Sequence, residues 1–272
     1  MDRSRISLNL ESLQDRMNGT KQILASLTAI RAAGFKYVEI LHCQNPDAGI
    51  SWRTVLDTVG LKVSSTHELF DEIKKRPDTV IRKALDLDCK YVVAGLAQST
   101  VWDDPASVKK LVQEMNILNN ELRAAGLQLL YHNHNMEFAK ISSSQNCLEY
   151  IFNEADPTIG AELDIYWVQL SGGNPEHWCK HLKGRLKAVH LKDLGVFGGS
   201  FETYIKTPMP TVLGGGNLAF KEILSAAEES GNEWYIIETH TNWVDGDSIK
   251  TASMSFDYLR QLAVPCNKNL SI

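Results

Sequence analysis

A recurring helix–glycine–strand unit constrains the fold of this chain more than any other feature. It reads Ala32-Ala33-Gly34-Phe35-Lys36-Tyr37-Val38-Glu39, then Val59-Gly60-Leu61-Lys62-Val63, then Ala124-Ala125-Gly126-Leu127-Gln128-Leu129, then Ser230-Gly231-Asn232-Glu233-Trp234-Tyr235. The glycine marks a helix end where the chain turns through positive φ, and the apolar run after it has the length of a strand. Helices alternating with strands make a parallel sheet, which must be covered on both faces or closed on itself. Eight strands are predicted, near residues 6–10, 36–41, 61–66, 90–94, 127–132, 158–164, 185–190 and 233–238. Eight units in 272 residues, against about 250 for an ordinary barrel, predict an α/β chain folded as a single (β/α)8 TIM barrel. No linker or low-complexity stretch divides it, so residues 1–264 read as one barrel domain and residues 265–272 as a frayed C-terminal tail.

The helical segments agree. Thr20 is predicted to cap a helix carrying Ile23, Leu24, Leu27 and Ile30. Asp104-Pro105 reads as an N-cap followed by a first-turn proline. After it Val108, Leu111, Val112, Met115, Leu118 and Leu122 keep helical spacing.

Charge narrows the function. The net charge is -5 and the pI near 5.9, which argues against nucleic acid and membrane surfaces, both held by clustered Lys and Arg. The five cysteines, Cys43, Cys89, Cys147, Cys179 and Cys266, show no zinc-site or redox spacing. They read as reduced thiols of a cytoplasmic protein. No signal-peptide core or membrane span is apparent. A homo-oligomer is left open.

The chemistry concentrates where the apolar runs end. Leu129-Leu130-Tyr131 ends in His132-Asn133-His134, the run to Leu163 in Asp164, Leu186 to Val189 in His190, and Trp234 to Ile237 in Glu238. Imidazoles and carboxylates at the ends of successive parallel strands are what a metal site on one barrel face requires, and they suit a divalent ion such as Mn, Co, Fe or Zn. Alternation gives His132 and His134 one parity and Tyr131 and Asn133 the other, so an inward Leu130 sends both histidines to the barrel mouth. Asp164 is alternatively a plain helix cap. Lys192 shares the parity of His190 and can hold an anionic substrate oxygen, or be solvated. Glu39, His67-Glu68 and Glu137 are further candidates for substrate contact, each weighed against a loop salt bridge, and His240 and Trp243 follow Glu238. Gly214-Gly215-Gly216-Asn217 could cradle a phosphate, although a flexible hinge explains three glycines as well. The stretch from Asp193 to Asn217, with Tyr204 and Lys206 inside it, is long enough to read as a lid over the mouth.

These motifs together resemble the xylose isomerase-like TIM-barrel superfamily, specifically its sugar phosphate isomerase/epimerase proteins, a group that also holds the endonuclease IV fold. The resemblance runs from Gly34-Phe35-Lys36-Tyr37-Val38-Glu39 to Glu238. It is carried by Tyr131-His132-Asn133-His134 with Glu137-Phe138, by Glu162-Leu163-Asp164-Ile165-Tyr166-Trp167, and by His190-Leu191-Lys192-Asp193. It implies one divalent metal ion (Mn, Co, Fe, Zn or Mg) on a Glu, Asp, His, Glu set. Asp164, His190 and Glu238 match the last three positions, while His132 stands where many relatives have Glu. Whether His132 or Glu137 replaces that ligand is left open. Trp167 stands where many relatives carry His.

The resemblance further implies a metal-dependent isomerase or epimerase of a sugar or keto-sugar, phosphorylated or not, acting by proton transfer beside a metal-chelated carbonyl. Glu238 would be the base, helped by His132 or His134, with Lys192, His67, Glu39, Trp167 and Glu137 shaping the substrate pocket. One base plus imidazoles equally suits a keto-sugar or keto-inositol dehydratase or lyase, as in related inositol-pathway dehydratases. A non-catalytic sugar-binding barrel is the distant alternative, and a DNA-repair endonuclease is disfavoured by the charge.

Overall fold

The computed structural model describes residues 2–41, 46–196 and 209–262. Eight parallel strands close into a barrel: β1 Ile6–Asn9, β2 Tyr37–Leu41, β3 Lys62–Leu69, β4 Tyr91–Gly95, β5 Gln128–His132, β6 Gly160–Asp164, β7 Leu186–Leu191 and, after the short strands β8 Asp193–Gly195 and β9 Met209–Thr211, β10 Trp234–Ile237. The barrel order is β1-β10-β7-β6-β5-β4-β3-β2, and β8 and β9 pair antiparallel outside it. The helices are α1 Thr20–Ala33, α2 Trp52–Val59, α3 Phe70–Lys75, α4 Pro77–Asp86, α5 Pro105–Ala124, α6 Cys147–Glu154, α7 Ile165–Leu170, α8 Pro175–His181, α9 Phe220–Glu229 and α10 Ser248–Leu262. Among the described residues no helix is long and apolar enough to cross a membrane.

The sequence dictates these boundaries locally. Gly34 ends α1 at φ 112°, and a Cβ there would come 2.9 Å from the Phe256 ring; only glycine meets both demands. Asp104 caps α5 by accepting from the Ala106 amide, with Pro105 in the first turn. The start of α1 differs from expectation. Thr20 is the first helical residue and Gly19 the N-cap. The Thr20 amide donates to Asp47 Oδ2 (2.9 Å), and the Asp47 amide donates back to Thr20 Oγ1 (2.9 Å). The capping carboxylate thus comes from 27 residues away.

Strand alternation divides the apolar residues into two cores. Leu8, Val38, Val92, Leu129, Tyr131, Leu163 and Val189 pack with the helices. Tyr91, Val93, Leu130, Ala188 and Ile236 form a separate cluster in the barrel interior. Leu130 is therefore inward, and His132 continues its row. The rows of β3, β6, β7 and β10 are fixed likewise, since His67 pairs with Val93, Glu162 with Ala188, and Ile236 with His190. β3 runs three residues beyond its expected end because His67, Glu68 and Leu69 all find partners on β4.

Residues 265–272, Tyr204, Lys206, Cys43 and Cys266 lie outside the described residues, as does the middle of the expected lid. Cys89, Cys147 and Cys179 are buried free thiols.

Candidate active site

The inward rows converge at the C-terminal mouth on a buried group with two tiers. His132 and His190 belong to both. The deeper tier is Glu39 and Glu162. His190 Nε2 lies 2.7 Å from Glu39 Oε2 and 3.0 Å from Glu162 Oε1, and His132 Nδ1 lies 3.0 Å from Glu162 Oε1. His67 Nδ1 approaches Glu162 Oε1 at 3.4 Å. The upper tier is Asp164, Glu238 and Lys192. The second nitrogen of each shared histidine faces it: His190 Nδ1 is 2.9 Å from Glu238 Oε2, and His132 Nε2 is 3.9 Å from Asp164 Oδ2. Lys192 Nζ sits between the two carboxylates, 2.9 Å from Glu238 Oε2 and 3.3 Å from Asp164 Oδ2.

Local structure holds each group. A Cβ at Gly95 would lie 2.2 Å from His67 Nε2, so the glycine on β4 makes the room His67 fills. Asn9 Nδ2 and Ser65 Oγ both donate to Glu39, at 2.6 Å each. Asn133, of outward parity, ties β5 to β6: its Oδ1 accepts from the Asp164 amide (3.0 Å) and its Nδ2 donates to the Asp164 carbonyl (3.3 Å). Asp164 does two jobs. Its Oδ1 caps α7 through the amides of Tyr166 and Trp167, and its Oδ2 faces the upper tier.

Electrostatics follow from burial and proximity. Burial would raise Glu238, but the Lys192 ammonium and hydrogen bonds from His190 and His240 hold it well below the usual range. Burial would likewise raise Glu39, yet the adjacent His190 and bonds from His190 and His67 keep it well below. Glu162, buried and next to Glu39, is pushed up to about 7. Burial would strip the proton from His190, but Glu162 and Glu39 hold it on, well above the ordinary imidazole value. His132 is pushed well below that value by burial and by the charges of His190 and His67, and His134 to about 3 by burial, His67 and Lys192. Two neutral imidazoles result, the form that can ligate a metal.

The donor set fits a divalent ion. Ligand atoms of Asp164, His190 and Glu238 lie within 4.8 Å of one another, as do those of His67, His132, Glu162 and His190. Glu162 Oε2 and Asp164 Oδ2 are buried with no hydrogen bond among the described residues, and Asp164 Oδ2 has the Lys192 ammonium at 3.3 Å as its ion-pair contact; a buried carboxylate oxygen without a hydrogen bond is costly. In the upper tier the deeper carboxylates face the far nitrogens of His132 and His190, the support that metal-bound imidazoles need to fix ring and tautomer.

The expected residues fall into place unevenly. His67, His132, His134, Trp167, His190, Lys192 and Glu238 line a cavity of about 350 Å³ at the mouth, with Glu11 and His240 among its other walls. Glu39 lies beneath that cavity and touches His190 instead of lining the wall. Glu137 is corrected more sharply. It is fully buried, accepting from the Tyr131 hydroxyl (2.9 Å) and the His134 amide (2.9 Å), and burial pushes its carboxyl up to about 7. It sits behind the wall and positions the His134 backbone, so His132 is the β5 residue that reaches the upper tier. Trp243 spends its indole N–H on the Thr239 carbonyl. The glycine run is also reassigned: the Gly214 and Gly216 amides donate to Asp193 Oδ2 (2.9 Å each).

Glu162 and Glu11 escaped the sequence reading. Glu162 shares the parity of Asp164 two residues on, a signal that was present. Glu11 follows β1 and carries no comparable mark. A larger cleft of about 570 Å³ lies among the strand starts, walled by Tyr37, Tyr91 and Trp234. That face of a barrel carries stability, and the opposite face carries the active site.

A closed parallel barrel with imidazoles and carboxylates gathered at its C-terminal mouth defines a TIM-barrel enzyme scaffold. The chain belongs to the Xylose isomerase-like TIM barrel family, whose sequence model matches residues 27–262. An inosose dehydratase of Lacticaseibacillus casei is 26% identical over 184 residues, covering 62% of this chain and 61% of that protein's length. The chain superposes with TM-score 0.74 on a sugar phosphate isomerase/epimerase from Parabacteroides distasonis, at 22% identity over 96% of this chain and 98% of that one. A xylose isomerase-like barrel from Mycobacterium smegmatis, solved with magnesium, gives 0.72 at 18% identity over 95% and 96%. The two structural likenesses are of fold.

Proposed function

We propose that this protein is a metal-dependent isomerase or epimerase of a sugar or keto-sugar. The observation that carries the reading is the convergence of Asp164, His190 and Glu238 on one point at the mouth, with the buried Asp164 Oδ2 making no hydrogen bond and only an ion-pair contact with Lys192. These three side chains would hold the ion, with His132 as the fourth ligand, and the ion would take the place of the proton on His190 Nδ1, since a ligating imidazole nitrogen must be deprotonated. An ion held there would supply Lewis-acid polarisation of a substrate carbonyl, which makes the neighbouring C–H more acidic. Glu238, kept ionised by Lys192, takes the proton. The neutral His134 imidazole on the pocket wall is placed to relay it. The Lys192 ammonium has three donors; it pairs electrostatically with Glu238 and Asp164 and can still donate to a substrate oxygen. Trp167 presents a ring face to the sugar.

A second reading, a keto-sugar or keto-inositol dehydratase, draws support from the likeness to inosose dehydratase and from His132. With an imidazole in place of a β5 glutamate, Glu238 is the strong base at the ligand set. Incubating the metal-loaded and metal-stripped protein with keto-sugars in deuterated water tests both. Metal-dependent exchange without loss of water is expected. A product lacking water selects the dehydratase, and turnover indifferent to metal removal defeats both readings.

A further inference from the structure

We propose that Glu11 is a substrate-recognition residue, whose carboxylate accepts hydrogen bonds from two neighbouring hydroxyl groups of the substrate at the barrel mouth, across from His134. The inference rests on the reading above for the place of the substrate. It adds the residue that selects among substrates by their hydroxyl pattern.

Glu11 stands just past β1, in the 3-10 turn Leu10–Arg16, and its backbone is fixed on both sides. Its amide donates to Asn9 Oδ1 (2.8 Å), and Asn9 Nδ2 in turn donates to Glu39. Leu10 and Leu13 are fully buried. Ser12 Oγ accepts from the Thr239 amide (3.0 Å), and Gln14 Nε2 donates to the His240 carbonyl (2.7 Å), so the turn is fastened to the loop after β10. From this rigid base the Glu11 side chain joins the wall of the mouth cavity. Its carboxyl feels the charges of Glu238, His240, Lys192 and His67, which all belong to the same wall.

That carboxyl nevertheless makes no hydrogen bond and no close ion pair with a described residue. Glu238, the other carboxyl of the lining, accepts from His190 and His240 and pairs with Lys192. A half-buried carboxylate without a partner costs desolvation and gains nothing from the fold. Its acceptors are open to the occupant of the cavity. An ionised carboxylate accepts through two oxygens, and two adjacent hydroxyls of a polyol present two donors to them, in charge-assisted bonds. Position decides which hydroxyls are read. The four ligands proposed above stand on β5, β6, β7 and β10, consecutive in the barrel, and β1 follows β10. β1 is also four strands from β5 by either route round the barrel. Glu11 therefore meets the part of the substrate that projects past Glu238, on the far side of the mouth from His134.

A cycle between protein variants and deoxy ligands tests this. The full-length, metal-loaded protein and its Glu11→Ala and Glu11→Gln variants are titrated calorimetrically with fructose, psicose, sorbose, tagatose and the monoketone of inositol. Each ligand is compared with its deoxy forms at hydroxyls remote from the carbonyl. In the parent, deletion at two adjacent positions should weaken binding by about 10- to 100-fold. In Glu11→Ala the intact ligand should be weakened likewise, and the same deletions should cost nothing further. Glu11→Gln, which keeps one acceptor oxygen, should fall between. The thermal midpoint of Glu11→Ala should not drop, because no internal partner is lost. With a ketose that turns over, KM should rise with kcat almost unchanged. Undiminished affinity of Glu11→Ala, deoxy penalties that persist in it, or a kcat that falls in step with kcat/KM overturns the proposal. Deuterium exchange reports separately: ligands that bind without exchange defeat the proton-transfer reading and leave the cycle to decide on Glu11, whereas failure of every ligand to bind defeats both.

Discussion

The two ends of the barrel interior are made by the same strands and differ in almost every physical respect. Toward the strand starts, Tyr91, Val93, Leu130, Ala188 and Ile236 pack as an apolar plug. One alternation further along the same rows come His67, His132, His190 and Glu238, and β6 adds Glu162 and Asp164. Leu130 and His132 are two residues apart on one strand, as are Ala188 and His190, and Ile236 and Glu238. The plug gains stability from dispersion and exclusion of water. The mouth holds carboxylates and imidazoles at a desolvation cost that their mutual pairing only partly offsets. A TIM barrel can separate these demands because strand period sets which residues face inward, and position along the strand sets whether they meet core or solvent.

That contrast can be broken or sharpened by substitution. The largest expected effect is at the mouth. Glu238→Gln keeps the side-chain size and loses the base, so turnover in the deuterium-exchange assay falls by about 10²–10⁴ while the thermal midpoint stays close to that of the parent. Near-parental turnover of the metal-loaded variant would remove Glu238 from the chemistry.

Next is the plug, where Leu130→Ala opens a cavity and costs about 2–5 kcal/mol in urea unfolding. The folded fraction should keep its metal content and turnover. Loss of metal at temperatures where the variant is folded would show that the two ends are not separable.

Glu137, behind the mouth, is the third. Its carboxyl has an ordinary value of 4.5 and is pushed up to about 7 by burial. The folded state therefore binds this proton more tightly than the unfolded state, and the contribution is present at low pH and lost as pH rises through about 7. The full range is about 3 kcal/mol. Glu137→Gln should flatten that part of the stability profile between about pH 4.5 and 7; an unchanged slope would mean that Glu137 ionises normally.

The smallest is Gly95→Ala, which drives a methyl group into the His67 ring. Overpacking of this kind costs about 1–3 kcal/mol. The variant should lose affinity for keto-sugars in calorimetry more than it loses stability. Unaltered affinity would show that His67 has slack the structure does not display.

Most of this arrangement was legible from the chain because it is local. The eight strands follow from glycine-punctuated apolar runs, and Asp164, His190 and Glu238 stand out as the polar residues on which those runs stop. Glu162 is less visible because it lies inside its run, with only the parity it shares with Asp164 to mark it, and the register irregularity between Ala161 and Glu162 has no signature in the residues themselves. The residues that serve Asp193, the Asp47 cap on α1 and the room Gly95 leaves for His67 all depend on contacts made across the fold. Glu137 was misplaced because a carboxylate beside two histidines looks like part of their chemistry, and only the outward parity of Tyr131, its hydrogen-bond partner, shows that it faces the helices.

The divided duty of Asp164 has a consequence for how the site reports on itself. Oδ1 receives the first amides of α7, and Oδ2 faces the proposed ion. Fraying of the first turn of α7 releases the carboxylate, and anchoring the carboxylate suppresses the fraying. The amide protons of Tyr166 and Trp167 are thereby coupled to occupancy of the mouth, and their exchange with solvent, which samples local opening, is a gauge of the site that needs no substrate.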